Sequence, residues 1–234
     1  MGFLATHLVQ TRRNFLVTKA HGVTAGLIAV AGGEIDRSHA LLAQTASSPD
    51  AAVQELLAGN KRFISGHMTA YQQDLAILRQ KTAEQQEPFA AVLSCADSRV
   101  PVELIFDQSI GHIFVVRVAG NVVTPEVIAS LEYGTAVLGT KAILVLAHAN
   151  CGAIKATIQG KEAPGQITAL YSRIQPSVDQ AGSDVNATAK ANAKLQSALL
   201  RKASTVVSSF VKEKKLTVIA AFYDIAGGKV TLLE

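Results

Sequence analysis

The sequence has few cysteines, few aromatic residues and no tryptophan. Its 234 residues include two cysteines, and aromatic residues make up 5% of the chain. Two cysteines cannot form the framework of a small disulfide-stapled protein, so that class is excluded. Hydrophobic residues make up 49% of the chain and charged residues 17%, which is typical of a globular protein and excludes a largely disordered one.

Positive charge is also sparse. The formal net charge is +4, and no stripe of lysine and arginine alternates with aromatic residues, so the sequence gives little support for binding nucleic acid. The nearest candidate is Lys212-Glu213-Lys214-Lys215. It is better explained as the solvated end of a helix that precedes a strand.

An uncharged segment near the N-terminus, residues 20–33, is too short and too glycine-rich to span a membrane, which takes about 20 apolar residues. It follows Arg12-Arg13-Asn14-Phe15-Leu16. A basic region before a modest apolar stretch is the arrangement of an export signal. The paired arginines resemble the twin-arginine signal, which a translocation machinery reads as an address.

We therefore predict that residues 1–45 are a twin-arginine signal peptide with a linker, and that the protein is exported to a periplasm or a thylakoid lumen. The alternative is a disordered or amphipathic extension on a cytoplasmic protein. Residues 46–234 are predicted to form one domain, because no repeat or low-complexity tract divides them.

The domain alternates strand and helix signals. A continuous apolar run at 89–93 and similar runs at 113–118 and 142–146 predict strands that are covered on both faces. Thr124-Pro125-Glu126 begins a predicted helix between two of them. This succession predicts an α/β fold with a mostly parallel central sheet flanked by helices. Further helices are predicted at 50–66, 72–85 and 187–215, and a C-terminal antiparallel hairpin at 216–223 and 229–233.

Polar and metal-binding residues follow two of the predicted strands. They are Cys95-Ala96-Asp97-Ser98-Arg99 and His148-Ala149-Asn150-Cys151-Gly152. Both segments lie at carboxyl ends of strands in a parallel sheet, where loops form active sites. Two thiolates and an imidazole suit zinc, and three protein ligands leave the fourth tetrahedral position open, as in catalytic zinc sites.

Two other interpretations of these cysteines stay open at this stage. A buried cysteine is commonly just a small hydrophobic residue, and His-x-x-Cys alone is weak evidence for a metal. A disulfide between Cys95 and Cys151 is the second alternative, but it would leave His148 and Asp97 without a role. Asp97 and Arg99 beside a buried strand end require either a mutual ion pair or a functional site.

Cys-x-Asp-Ser-Arg followed by His-x-x-Cys-Gly resembles the β-class carbonic anhydrases, and the resemblance covers residues 49–233. It implies that Cys95, His148 and Cys151 ligate one Zn²⁺ per subunit, with Asp97 and Arg99 as a hydrogen-bonded catalytic dyad. Other segments that match the family's patterns are Leu56–Phe63, Phe114–Asn121, Glu132-Tyr133, Gly139 and Ala221–Asp224.

The resemblance also implies how the site is completed. Gln86 matches a glutamine that hydrogen-bonds the substrate in the open branch of the family. In the closed branch Asp97 would be a fourth ligand, but the tryptophan typical of that branch is replaced here by Val92, which favours the open form. The family's cleft lies at a dimer interface, so a homodimer or a higher multiple is expected.

The implied activity is the zinc-dependent, reversible hydration of carbon dioxide to bicarbonate and a proton. Two alternatives share the same motifs. One is hydrolysis of carbonyl sulfide or carbon disulfide on the same zinc, and the other is a zinc-binding scaffold without catalysis. The scaffold is disfavoured, because a structural zinc site needs neither the dyad of Asp97 and Arg99 nor Gln86.

Overall fold

The computed structural model describes residue 46 and residues 48–70, 75–160 and 162–233. The predicted signal segment, residues 1–45, lies outside the described residues, so the division into a signal and a domain stays a prediction. Within the described part of the chain, no helix is both long enough and apolar enough to cross a membrane.

Strands and helices alternate in the first part of the described chain, and a run of helices then precedes the last two strands. All five predicted strands are present, with ends within two residues of the prediction. The strands are β1 Ala90–Ser94, β2 Ile113–Arg117, β3 Ala142–His148, β4 Thr217–Tyr223 and β5 Val230–Leu233. The helices are α1 Pro49–Ser65, α2 Leu75–Thr82, α3 Val102–Ile105, α4 Pro125–Ala136, α5 Gly152–Gln159, α6 Tyr171–Ala181, α7 Val185–Ala203 and α8 Thr205–Lys212. Two short 3₁₀ turns lie at Ala119–Asn121 and Ile167–Leu170.

The strands form one sheet in the order β2-β1-β3-β4-β5. The first four are parallel, and β5 pairs antiparallel with β4. This confirms the predicted fold class, including its antiparallel C-terminal edge. Because parallel strands are joined by helical crossovers, helices cover both faces, and every residue of β1 and β3 is buried.

Alternate residues of the central strands pack into two hydrophobic clusters. Leu93 and Val145 belong to the cluster that includes buried residues of α4 to α8. Val92 and Leu144 belong to the other cluster, with residues of α1 and α3. This alternation follows from the two-residue repeat of a strand. Continuous apolar runs in the sequence therefore mark strands between two helical layers.

The register of the sheet brings the two motifs together. Ser94, the last residue of β1, pairs with Leu146 of β3, and β3 continues for two further residues to His148. The segment that begins at Cys95 and the segment that begins at His148 thus emerge at the same edge of the sheet. This is the arrangement that the predicted parallel pairing required.

The predicted single helix over 187–215 is wrong, since the chain breaks at Ser204 between α7 and α8. Ser204 has an extended backbone, with φ −99° and ψ 117°. Its hydroxyl accepts a hydrogen bond from the Val207 N–H at 3.0 Å and donates one to the Glu132 carboxylate at 2.6 Å. A serine that caps a new helix competes with continuing the old one, and here the cap prevails.

Candidate metal centre

Three buried side chains converge at the carboxyl edge of β1 and β3. Cys95 follows β1, His148 ends β3, and Cys151 is the residue before the first turn of α5. Their candidate ligand atoms all lie within 4.8 Å of one another. The two sulfur atoms are 4.0 Å apart and both cysteines are free. A disulfide bond is about 2.05 Å long, so the disulfide interpretation does not describe this structure.

The imidazole of His148 is oriented with one nitrogen towards the two sulfurs. Its Nδ1 lies 2.9 Å from the Ala149 carbonyl oxygen. A carbonyl can only accept, so Nδ1 carries the proton and Nε2 carries the free lone pair. Nε2 is buried and has no hydrogen-bond partner in the described structure. Since a buried polar atom without a partner is costly, a metal ligated at Nε2 fits this arrangement.

The two thiols affect each other's ionisation strongly. The pKa of Cys95 falls to about 4, chiefly because the Cys151 thiol donates a hydrogen bond to its sulfur, with a further hydrogen bond from the Gly120 N–H. The pKa of Cys151 is raised, because it gives that hydrogen bond and is buried beside the Cys95 thiolate. Two thiolates this close are stable together only beside a cation, which is how a metal ion would complete the charge balance.

Arg99 holds both carboxylate oxygens of Asp97. Its Nε donates to Oδ1 at 2.9 Å, its Nη2 donates to Oδ2 at 2.7 Å, and its backbone N–H donates to Oδ1 at 3.0 Å. These hydrogen bonds from Arg99 hold the pKa of Asp97 well below its ordinary value. Asp97 is therefore an ionised carboxylate beside the three candidate ligands. The paired geometry implied by the family resemblance is present.

Arg117 has a structural role that the sequence did not reveal. It ends β2, and its Nε and Nη2 donate to the backbone carbonyls of Cys95 at 3.0 Å and Asp97 at 2.6 Å. The sequence offered one signal, a charged residue at the end of an apolar strand. The partners of that charge could not be read, because they lie on the neighbouring strand's loop, about twenty residues away.

Arg99 also bridges the two loops of the site. Its Nη2 donates to the Asn150 carbonyl at 3.3 Å. Asn150 has a left-handed backbone, with φ 54°, and its N–H is accepted by the side chain of Asn186 on α7 at 3.0 Å. Asparagine tolerates this conformation better than most residues. The loop from His148 to Cys151 is therefore fixed from both sides.

Within one chain, Gln86 does not lie near the other predicted site residues. It is exposed, in the connection between α2 and β1. Among the described residues it makes no hydrogen bond with Cys95, Asp97 or Arg99. The strand β1, Ala90–Ser94, lies between Gln86 and Cys95 and alone spans roughly 13 Å at about 3.3 Å per residue. Gln86 precedes the amino end of β1, whereas the metal centre lies beyond its carboxyl end.

Comparison with known proteins agrees with this geometry. The family model described as "Carbonic anhydrase" matches residues 90–230. A carbonic anhydrase of Mycolicibacterium smegmatis is 34% identical over 194 residues, which cover 80% of this chain and 94% of that protein. A carbonic anhydrase 2 of Mycobacterium tuberculosis is 33% identical over 196 residues, with the same coverage. The chain belongs to the carbonic anhydrase family.

Solved structures place this carbonic anhydrase in the β class. A β-carbonic anhydrase of Coccomyxa is 26% identical, has a TM-score of 0.59, and aligns over 85% of this chain and 86% of that one. A β-carbonic anhydrase of Aspergillus fumigatus has the same fold, with a TM-score of 0.63 at 24% identity over 68% of this chain and 81% of that one. Both agree with the five-stranded, mostly parallel sheet described above.

Proposed function

We propose that this β-class carbonic anhydrase reversibly hydrates carbon dioxide to bicarbonate and a proton, with one zinc per subunit held by Cys95, His148 and Cys151. The observation that carries the proposal is the convergence of three buried ligand atoms within 4.8 Å. The unpartnered Nε2 of His148 supports it further. Two thiolates and an imidazole are a donor set that zinc prefers, and the names of the similar proteins support the reaction.

The residues around the ligands suit this reaction. When bound, zinc supplies a Lewis acid that makes hydroxide available near neutral pH. Asp97 is kept ionised by Arg99, and its Oδ2, which accepts one hydrogen bond from Arg99, keeps a second lone pair for accepting another. Asp97 can therefore accept a hydrogen bond from the attacking nucleophile and orient the lone pair of that nucleophile towards carbon dioxide.

The geometry of Asp97 favours the open form of the site. Oδ2 of Asp97 is 3.8 Å from Nε2 of His148, and both carboxylate oxygens are held by Arg99. Arg99 pairs with the charge of this carboxylate and fixes its plane, so a metal at Asp97 would compete with Arg99 for the carboxylate. Solvent, rather than Asp97, is therefore proposed to complete the coordination.

A second subunit is proposed to supply Gln86. Within one chain Gln86 lies beyond the opposite end of β1, so it could reach a metal centre only in a partner. The strand β2 is one of the two edges of the described sheet, and at the adjoining helix α4 Tyr133 is 48% exposed and the following Val137 65% exposed. An unpaired strand edge beside apolar side chains fits a second copy of the chain. Similar β-carbonic anhydrases of Sordaria macrospora are described as tetrameric.

The proposal is tested by zinc analysis together with stopped-flow hydration of carbon dioxide. We expect one zinc per chain and a hydration rate that rises with pH, because the reaction consumes hydroxide. Cys151→Ser should lose zinc and activity together. Thr157→Val is a buried change on the adjoining α5 that removes a hydrogen bond from the Thr157 hydroxyl to the Ala153 carbonyl, and it should keep both. A protein without zinc, or with a rate independent of pH, contradicts the proposal.

The same preparation separates the alternative activities. Carbon dioxide, carbonyl sulfide and carbon disulfide are offered singly and in competition. Faster turnover of either sulfur compound would replace the proposed substrate while keeping the zinc site. Zinc bound without turnover of any of the three gases would identify a scaffold.

Export through the twin-arginine machinery is proposed from the sequence of residues 1–45. Its support is the pair Arg12-Arg13 before an uncharged segment. The mass of the mature N-terminus in fractionated cells tests it. We expect a shortened chain outside the cytoplasm, and retention of the full chain when both arginines are changed to lysine. A full-length chain found in the cytoplasm contradicts the proposal.

A further inference from the structure

Two buried amide side chains of α7 bind the turn that faces the metal centre. Asn192 and Gln196 are one helical turn apart, and each is fully buried. They bind backbone groups in the irregular segment from Gly120 to Val123. Neither residue belongs to the motifs that indicated the site, and α7 contributes no candidate metal ligand.

The turn at Gly120 is held on both sides of its Cα atom. On one side, the Gly120 N–H donates to the sulfur of Cys95 at 3.3 Å. On the other side, the Gly120 carbonyl accepts a hydrogen bond from Asn192 Nδ2 at 2.8 Å. Gly120 itself is left-handed, with φ 73° and ψ 13°. The direction of its N–H therefore depends on the same two backbone angles that the bond from Asn192 restrains.

The orientation of the Asn192 amide is fixed by its other partners. Its Oδ1 accepts a hydrogen bond from Gln196 Nε2 at 3.2 Å and one from the Ser177 hydroxyl at 3.4 Å. Its Nδ2 must therefore face Gly120. Gln196 is fixed in turn, since its Oε1 accepts the Val123 N–H at 2.8 Å and its Nε2 also donates to the Arg173 carbonyl at 3.2 Å.

We propose that Asn192 is a positioning residue for the metal centre. By holding the carbonyl of Gly120, it keeps the Gly120 N–H directed at the Cys95 sulfur. A hydrogen bond to a thiolate withdraws negative charge from the sulfur and weakens its donation to a bound metal. Asn192 thus sets the electron donation of Cys95 from a position that touches neither metal nor substrate. This inference rests on the proposed zinc site.

A purely structural role is the competing explanation. Buried backbone groups outside helices and strands need hydrogen-bond partners, and Asn192 supplies one to the Gly120 carbonyl. A structural role would change the stability of the fold without changing the metal–sulfur bond. The two roles are therefore separated by a spectroscopic measurement on the metal–thiolate bond.

The experiment replaces zinc by cobalt(II) and records the sulfur-to-cobalt charge-transfer absorption. In Asn192→Leu we expect this band to move to longer wavelength, because a thiolate without its N–H partner gives up an electron more readily. Zinc affinity, measured against a chelator, should fall by about 10-fold, because the loss of a fixed position for Cys95 outweighs the stronger donation of its sulfur. The matched control is Thr188→Val on the same helix, which removes a hydrogen bond from a buried hydroxyl to the Gly182 carbonyl, a group outside the segment from Gly120 to Val123. Its band and its zinc affinity should equal those of the unaltered protein.

Asn192→Asp is the second variant. It keeps an oxygen for Gln196 and Ser177 and replaces the donor that faces Gly120, so it should move the band in the same direction. An unmoved band in a folded Asn192 variant overturns the inference, as does failure of both variants to fold when Thr188→Val folds normally. Failure of the proposed zinc site looks different, since the unaltered protein would then bind no cobalt and show no charge-transfer band, and failure of the proposed reaction alone would leave the band in place without turnover of carbon dioxide.

Discussion

Oδ2 of Asp97 lies 3.8 Å from Nε2 of His148, beyond hydrogen-bonding distance, while it accepts a 2.7 Å hydrogen bond from Nη2 of Arg99. The carboxylate is thus next to the candidate ligands but bound to an arginine. Such a bidentate pair is stronger than a single hydrogen bond and fixes the plane of the carboxylate. This relationship separates a ligand role for Asp97 from a role in orienting the nucleophile.

Asp97→Asn should keep its zinc and lose activity. An amide keeps the size of the carboxylate but loses the charge that pairs with Arg99 and one oxygen acceptor. We expect carbon dioxide hydration to fall by about 100-fold or more, the usual range for a group that manages a proton. Zinc content and stopped-flow rates measure the two effects separately. Zinc lost from Asp97→Asn to the same extent as from Cys151→Ser would show that Asp97 is a ligand.

Gly120→Ala should destabilise the protein more than Gly139→Ala does. Both glycines are left-handed, with φ of 73° and 77°, so both substitutions strain the backbone by about 1 kcal/mol. A Cβ at Gly139 would meet nothing within 4 Å, whereas one at Gly120 would lie 2.8 Å from Cδ1 of Ile174, a fully buried side chain. The further loss at Gly120 is about 1–3 kcal/mol for overpacking.

Denaturant unfolding of the two variants measures this difference, with Gly139→Ala as the control for strain alone. The zinc affinity of Gly120→Ala should fall as well, because the turn that donates to Cys95 is displaced. Equal losses of stability at the two positions would contradict the close approach of Ile174 to the turn.

The strands of the sheet could be predicted from the sequence because each one is marked by its own run of apolar residues. Strands such as β3 are buried on both faces, so their apolar runs are continuous and their ends are visible. The two loops of the metal centre then follow from parallel pairing alone. The break at Ser204 was missed because the Ala- and Lys-rich stretch before it favours helix, and the apolar residues of 205–212 continue a helical spacing after it. Its partner Glu132 is distant in the sequence.

The support of the site could not be read from the sequence for a related reason. Asn192 and Gln196 are polar residues in a helical pattern, which ordinarily indicates a solvated face. Their partners, Gly120 and Val123, lie more than seventy residues earlier, and only packing of α7 onto that turn brings them together. Gln86 shows that closeness in the sequence does not imply closeness in the fold. It is close to Cys95 in sequence, but a strand of five residues places it at the other end of the sheet layer.

Asp107 should make the stability of the fold depend on acid pH. Its side chain is fully buried and accepts a 2.6 Å hydrogen bond from Nε of Arg62. Burial alone would raise its pKa, but the hydrogen bonds from Arg62 and from the Thr69 and Ala70 backbones outweigh burial and lower the pKa below 3.8. A pKa that is lower in the folded state stabilises that state at pH values above the pKa of the unfolded state. This stabilisation is lost as the pH falls through the pKa of the folded state.

Asp107→Asn tests this dependence without disturbing the backbone, because asparagine tolerates the φ of 45° found at this position. We expect the free energy of unfolding near neutral pH to fall by about 2 kcal/mol, as for a lost hydrogen bond to a charged group. Between about pH 5 and 3 the variant should lose less stability than the unaltered protein. Asp179→Asn, at an exposed carboxylate, is the control and should show neither effect. If the free energies of unfolding of Asp107→Asn and of the unaltered protein changed equally with pH, the role of Asp107 would be contradicted.

Val137→Glu should separate the subunits if the edge at β2 and α4 is the interface. Val137 is 65% exposed at the end of α4, and the neighbouring Tyr133 packs its ring 6.3 Å from that of Phe114 on β2. A charge buried at this edge would oppose association, so light scattering should show a monomer where the unaltered protein shows a dimer or a multiple of it. The rate of carbon dioxide hydration should fall when the protein becomes monomeric, because a lone chain lacks the partner's glutamine near its metal. Ile167→Glu, at a position 45% exposed outside this edge, should change neither mass nor rate. If the mass of Val137→Glu were unchanged, the interface would not lie at this edge. An active monomer would show that one chain suffices for catalysis.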